Sequence, residues 1–204
     1  MTNPLHFRRL LIHLGICLAT IAFSDAVFSG ITASVQAATN VPSAPNVVIV
    51  FMDDMGYADI GPFGGNIQTP VLDQFSRQGM LFSNFHVLPT CSPTRSSLLS
   101  GNDNHVAGLG IMSEVSYPSV ANLPGYSGHL NDQVVTIPEI LRESYHTYMA
   151  GKWHLGDEEG QTPADRGFEE SFALLQGGGS HYADQKPLSP PQVMDYRVNG
   201  NKVA

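Results

Sequence analysis

Residues 46–52, Asn-Val-Val-Ile-Val-Phe-Met, are the stretch that most limits what this chain can become. A continuous β-branched and aromatic run of this length reads as a strand buried on both faces, the kind found in parallel sheets with helices on each side. The run ends in Asp53-Asp54. Adjacent carboxylates repel each other and are costly to desolvate unless a cation balances them. Hard divalent ions such as Ca²⁺ take oxygen ligands of this kind. The plainer alternative is a solvated strand end in which one of the two aspartates caps the next turn.

Further along, helix and strand signals alternate. Thr69 and Pro70 open a helix with Val71, Leu72 and Phe75 on one face and Gly79 at its end. Met80 to Val87 alternates apolar and polar residues and reads as a second strand. A second helix follows in Cys91-Ser92-Pro93-Thr94-Arg95-Ser96-Ser97-Leu98-Leu99-Ser100-Gly101, with Ser92 as the expected cap, Pro93 at the first helical position and Gly101 as the stop. Cys91 would then stand just before a helix N-terminus, where open N–H groups and the dipole favour an anion. Arg95, one turn on, carries a permanent charge and a two-pronged donor set suited to sulfate, phosphate or carboxylate. A small buried cysteine on an Arg-bearing helix is the simpler alternative.

Residues 102–128 form a long Gly-, Ser- and Pro-rich stretch carrying His105, and loops of that length are usually functional or mobile. Thr136 and Glu139 then make a capping box ahead of Ile140, Leu141 and Tyr145. His146 to Ala150 reads as a third strand that runs into Gly151-Lys152-Trp153-His154-Leu155-Gly156. Lys152 and His154 are two apart, so an extended backbone would point both the same way, as an oxyanion site requires. A surface turn with Trp153 packed inward also fits. His181-Tyr182 reads as a structural or surface pair, and Asn199-Gly200 as the turn of a hairpin. The alternation as a whole implies an α/β fold with a mostly parallel sheet, whose ligands lie beyond the carboxyl ends of the strands. Asp53, Asp54, Lys152 and His154 all fall there, with Cys91 at the same edge.

The first 37 residues are expected to be a secretory signal. Arg8 and Arg9 precede an apolar run from Leu10 to Phe23, and Val35-Gln36-Ala37 offers a small-residue cleavage site. Residues 38–45 read as a linker, and 46–204 as the body of the fold. Export implies a periplasmic or secreted protein, with no stable membrane insertion after cleavage. It also removes Cys17 and leaves Cys91 alone, a thiol that is free or modified rather than paired within the chain. Taking Arg8, Arg9 and Asp25 from the 10 basic and 18 acidic residues leaves 8 and 17, about −9. Such a surface argues against nucleic acid and anionic membranes as partners. Anion specificity must come from a few local cations.

With the aspartate pair, the C-x-P-x-R stretch and G-K-W-H-L-G in this order, the chain resembles the N-terminal part of a type I sulfatase, and bacterial arylsulfatases above all. The resemblance runs from about Pro45 to about Tyr182 and takes in Asn102 to Gly108 and Gly128 to Asn131. It implies an alkaline-phosphatase-like α/β sandwich. It also implies that a separate maturation enzyme oxidises Cys91 to formylglycine, whose hydrated form carries two hydroxyls. One attacks the sulfur of a sulfate ester, and loss of the other's proton later expels sulfate.

By motif position, Asp53, Asp54 and residue 91 would bind Ca²⁺, Arg95 would hold the formylglycine, and Lys152 and His154 would contact sulfate or assist the leaving group. His105 would assist proton transfer near residue 91. Members of the family are longer and take further metal ligands, another sulfate-binding Lys and another His from downstream segments. The expectation is therefore a truncated sulfatase, inactive as these 204 residues. Two other readings stay open: a phosphodiester or phosphonate monoester hydrolase of the same superfamily, and a non-catalytic remnant that binds anions or a partner.

Overall fold

The computed structural model describes residues 44–180, 182–188 and 192–203. The expected signal segment, most of the linker and His181 lie outside them. The chain divides into two units, Met1–Val50 and Phe51–Ala204. Of the first, residues 44–50 are described; they have no regular secondary structure, and Val47, Val48, Ile49 and Val50 are exposed.

The strand expected at residues 46–52 is therefore not formed among the described residues. A strand owes its backbone hydrogen bonds to its neighbours, and an apolar run stays extended and buried only where partners flank it. The same holds for residues 80–87, which lack regular structure and expose Met80, Phe82, Phe85 and Val87.

In the second unit, helix α1 spans Pro70–Gln78 between Thr69 and Gly79. Its ends are those expected, although Val71 and Phe75 are exposed rather than packed. Helix α2 spans Cys91–Ser100 and ends on Gly101 in the left-handed region, where a side chain would be strained. It begins earlier than the spacing suggested. Thr90 is the N-cap, Cys91 is the first helical residue and Pro93 the third. Thr94 N–H bonds the Thr90 carbonyl, and Pro93 fits anywhere in the first turn because its missing N–H would have no partner there. Ser92 caps nothing.

Helix α3, Ile137–Leu141, starts on the expected capping box. Thr136 Oγ1 accepts from Glu139 N–H, and the Glu139 carboxylate accepts from Thr136 N–H at 2.6 Å.

Four strands make one sheet in the order β1 (Tyr148–Lys152), β2 (Glu170–Leu174), β3 (Tyr196–Val198) and β4 (Asn201–Lys202). The pair β1–β2 is parallel, with Lys152 opposite Leu174, while β2–β3 and β3–β4 are antiparallel, so the described sheet is mixed. The β3–β4 turn is Asn199-Gly200, with φ of 49° and 79°, as an Asn-Gly hairpin requires.

One face of β2 is buried through Ser171 and Ala173, and the other leaves Phe172 exposed. The buried side joins a core of Ala107, Leu109, Leu130, Val134, Trp153, Leu155, Ala173 and Leu175, with Phe168 edge-on to Trp153. Much of that core comes from the irregular 102–134 region. Arg166 holds it in place. Its buried guanidinium donates to the carbonyls of Leu130, Asn131 and Val134 and pairs with Glu139 at 3.1 Å.

Among the described residues no helix is long and apolar enough to cross a membrane.

Replacing Arg166 by Met strands three carbonyls and one carboxylate together. In the full-length protein, Arg166→Met is expected to lower the unfolding free energy by about 3 kcal/mol, read by urea denaturation. A loss below about 1 kcal/mol would mean that the guanidinium network does not hold the 130–139 segment.

Candidate active site

The parallel pairing of β1 and β2 does not stop at the sheet. Trp153 N–H bonds the Leu174 carbonyl and His154 N–H the Leu175 carbonyl, so the Gly151-Lys152-Trp153-His154 segment is carried forward on β2. Trp153 turns inward, almost wholly buried, and its indole N–H donates to the Gln161 carbonyl. His154 then adopts φ of 60°. That conformation costs a non-glycine residue about 1 kcal/mol or more and is commonest at functional sites. It also ends the extended alternation that would have pointed Lys152 and His154 the same way: the two side chains meet different partners.

His154 reaches the start of α2. Its Nδ1 lies 3.2 Å from Cys91 Sγ, and its Nε2 lies 2.8 Å from Glu114 Oε1. The Cys91 sulfur also touches Met112 Sδ at 3.4 Å. Cys91 is a free thiol, and no side chain caps the helix it starts, which leaves first-turn N–H groups without a side-chain acceptor at the N-cap. The hydrogen bond from His154 is the chief reason the Glu114 carboxyl is lowered to about 2, against a smaller opposing effect of burial.

Lys152 faces Asp53. Its ammonium donates to Asp53 Oδ2 at 2.7 Å, and Arg95 NH2 approaches Oδ1 of the same carboxylate at 3.3 Å. Arg95 NH1 donates to the Lys152 carbonyl at 2.6 Å, and its guanidinium lies over the Phe51 ring, 4.8 Å from the centroid. Its Nε is buried without an acceptor among the described residues. Burial alone would raise the Asp53 carboxyl, but the Lys152 hydrogen bond and charge, with the charge of Arg95, outweigh it and hold the group below the usual carboxylate range.

The site residues thus form two adjoining sets. Cys91, His154 and Glu114 make one; Asp53, Lys152 and Arg95 make the other. Both share α2 and the end of β1. Two expected members stand apart. Asp54, at φ of 57°, is exposed and enters no ion pair among the described residues. His105 contacts Asp103 Oδ1 at 3.1 Å and the Tyr126 hydroxyl at 3.3 Å, not residue 91.

The aspartates offer hard oxygen donors, yet no group of three His, Cys, Asp or Glu side chains converges among the described residues. Ca²⁺ takes about six to eight oxygens, and both Asp53 oxygens are already engaged by cations. The described residues fit part of a calcium site, not a whole one.

Glu114 and Met112 were not anticipated from the sequence. The only signal was the length of the loop that carries them.

A model of the sulfatase family matches residues 45–198, and the chain belongs to that family. Among its relatives, it is 45% identical over 163 residues to an arylsulfatase of Klebsiella aerogenes, covering 78% of this chain and 35% of that protein. It is 51% identical over 143 residues to an uncharacterized sulfatase of Schizosaccharomyces pombe, covering 68% of this chain and 26% of that one. Among solved structures, Ps i-CgsB superposes with a TM-score of 0.60 at 29% identity, over 74% of this chain and 35% of that one. The fold is the alkaline-phosphatase-like α/β class, and the chemistry of the family is sulfuric ester hydrolysis. This chain spans about a quarter to a third of the length of the curated relatives it matches.

The Glu114–His154 pair has a pH signature. A carboxyl lowered from 4.5 to about 2 contributes stability that is complete above pH 4.5 and is lost as pH falls toward 2. In the full-length protein, the stability gap between wild type and Glu114→Gln is expected to be widest near pH 6 and smaller at pH 3, by denaturation at each pH. A gap that grows on acidification would contradict the pairing.

Proposed function

We propose that this chain carries the nucleophile half of an arylsulfatase-type active site. In this reading Cys91, converted to formylglycine by a maturation enzyme, is the residue that opens sulfate esters. The observation that carries it is the Cys91–His154 contact at a helix N-terminus, 3.2 Å long, inside the sulfatase-matched region.

The hydrated aldehyde supplies two hydroxyls on one carbon, the first to displace the alcohol at sulfur and the second to expel sulfate as its own proton leaves. The thiol Sγ stands in for one of those oxygens. His154 Nδ1 is the nearest group able to take a proton from it. Arg95 lies one helical turn away with an unsatisfied buried Nε, a donor suited to an added oxygen on residue 91 or to sulfate. Lys152, held against Asp53, supplies a positive charge from the adjoining set. Together these donors are oriented before the substrate arrives, the arrangement in which charge stabilisation is most effective. A covalent route splits one difficult displacement into two easier ones.

Ca²⁺, with Asp53, Asp54 and the converted residue 91 among its ligands and the rest from residues beyond those described, would polarise the sulfate oxygens. His105 is proposed as a proton-transfer residue of the wider site. The arylsulfatase name of the Klebsiella aerogenes relative supports aryl sulfates as the assay class. The charged, apolar and small-residue layout of residues 1–37 supports export to the periplasm or medium.

The test uses the full-length gene product expressed beside a formylglycine-generating enzyme. It should hydrolyse 4-nitrophenyl sulfate in preference to bis(4-nitrophenyl) phosphate, with Cys91→Ala inactive and Arg95→Lys reduced about 10²- to 10³-fold in kcat. Chelation should remove the activity and added Ca²⁺ restore it. Preference for the phosphodiester would move the assignment to that branch of the superfamily. No hydrolysis of either, with a thiol intact at residue 91, would leave only an anion-binding remnant.

A further inference from the structure

His154 has two ring nitrogens, and the chemistry above needs a particular one free. Nδ1 must face residue 91 as an acceptor, so the ring proton of the neutral imidazole has to sit on Nε2. Nothing in the Gly-Lys-Trp-His-Leu-Gly segment enforces that. The enforcement comes from 40 residues earlier in the chain, in the short helical turn Ser113–Val115, where Glu114 Oε1 lies 2.8 Å from Nε2.

A carboxylate can only accept, so in the neutral ring this contact places the proton on Nε2 and leaves Nδ1 with its lone pair toward Cys91. Resting on the sulfatase reading, we infer that Glu114 is a positioning residue: it fixes the orientation and tautomer of His154 so that Nδ1 accepts a proton from residue 91.

A second, independent feature is built around the same pair. Gly177, in the loop after β2, passes so close that a Cβ there would lie 2.7 Å from both Cε1 and Nε2 of His154 and 3.0 Å from Glu114 Oε1. Gly177 is not in the left-handed region, so its backbone does not require glycine. The space does. The absence of a side chain at residue 177 leaves room for the imidazole and carboxylate to meet, and His154 is only 7% exposed. Two separate segments, through Glu114 and Gly177, therefore converge on the His154 ring. The strained φ of His154 is consistent with a side chain held in place by such surroundings. Glu114 stands to His154 as the buried acid stands to the histidine of a hydrolytic triad, with a different nucleophile at the far end.

The experiment uses the full-length enzyme, labelled with ¹⁵N-histidine, in wild-type, Glu114→Ala, Glu114→Gln and Gly177→Ala forms. The His154 signal is identified by its loss in His154→Asn. Wild type should show the Nε2–H tautomer, Glu114→Ala a mixture of the two, and Glu114→Gln a return toward wild type, since its amide oxygen can still accept. On 4-nitrophenyl sulfate, Glu114→Ala should lose about tenfold or more in kcat with KM within about twofold, and Glu114→Gln should recover most of it. Gly177→Ala should shift the same signal and lower kcat in the same direction, which keeps the inference open to refutation if Glu114→Ala fails to fold.

An unchanged His154 tautomer and unchanged kcat in Glu114→Ala would overturn the positioning role. A lowered melting temperature with the tautomer intact in every variant would show a merely structural contact and overturn it too. If the wild type cleaves no sulfate ester, the functional reading fails by itself, and the tautomer measurement still decides whether Glu114 sets the ring.

Discussion

One guanidinium ties the site together. Arg95 leaves α2 and reaches the last carbonyl of β1, the Asp53 carboxylate and the face of Phe51 at once. A lysine could not replace it, because a compact ammonium has neither the planar fork nor the stacking face. The consequence is positional. With Arg95 linking α2 to the end of β1, Cys91 at the helix start meets His154 two residues beyond the strand. The two residue sets that make up the site thus share one link between helix and strand end. Asp53 in turn keeps Lys152 and Arg95, two cations on neighbouring segments, from repelling each other. Its lowered carboxyl records that balance.

The sheet supplies the second half of the placement. Because β1 and β2 run parallel and their ladder continues through Trp153 and His154, the backbone of the 151–154 segment stays hydrogen-bonded to its neighbour even though it has left the strand. Trp153 buries the intervening position in the core, which holds its neighbours Lys152 and His154 at the surface of that core. A loop alone would place the imidazole loosely. A strand extension backed by a large aromatic holds it in place.

What was legible in the sequence follows from the range of the forces involved. Helices α1 and α2, the Thr136–Glu139 capping box and the Asn199-Gly200 hairpin are set by neighbours within a few residues, and each appears, with only the start of α2 away from its signals. The Ser92 cap was displaced by two residues because Thr90, with an extended backbone, offers its carbonyl to Thr94 just as well. Residues 46–52 and 80–87 have the composition of strands, but strand formation depends on distant partners, and none is present among the described residues. The site followed the same rule. The motif residues Cys91, Arg95, Lys152 and His154 were readable because each stands on or just past a locally specified element. Glu114 was not, since nothing in a Gly- and Ser-rich loop announces a partner for a histidine 40 residues away.

The central claim is that a converted side chain at residue 91, facing His154, opens sulfate esters. The most direct measurement takes several preparations of the full-length protein made with different amounts of maturation enzyme. In each, mass spectrometry of the residue-91 peptide gives the aldehyde fraction, and initial rates on 4-nitrophenyl sulfate give the activity. The account predicts a straight line through the origin. Full turnover in a preparation whose residue 91 is still a thiol would contradict it.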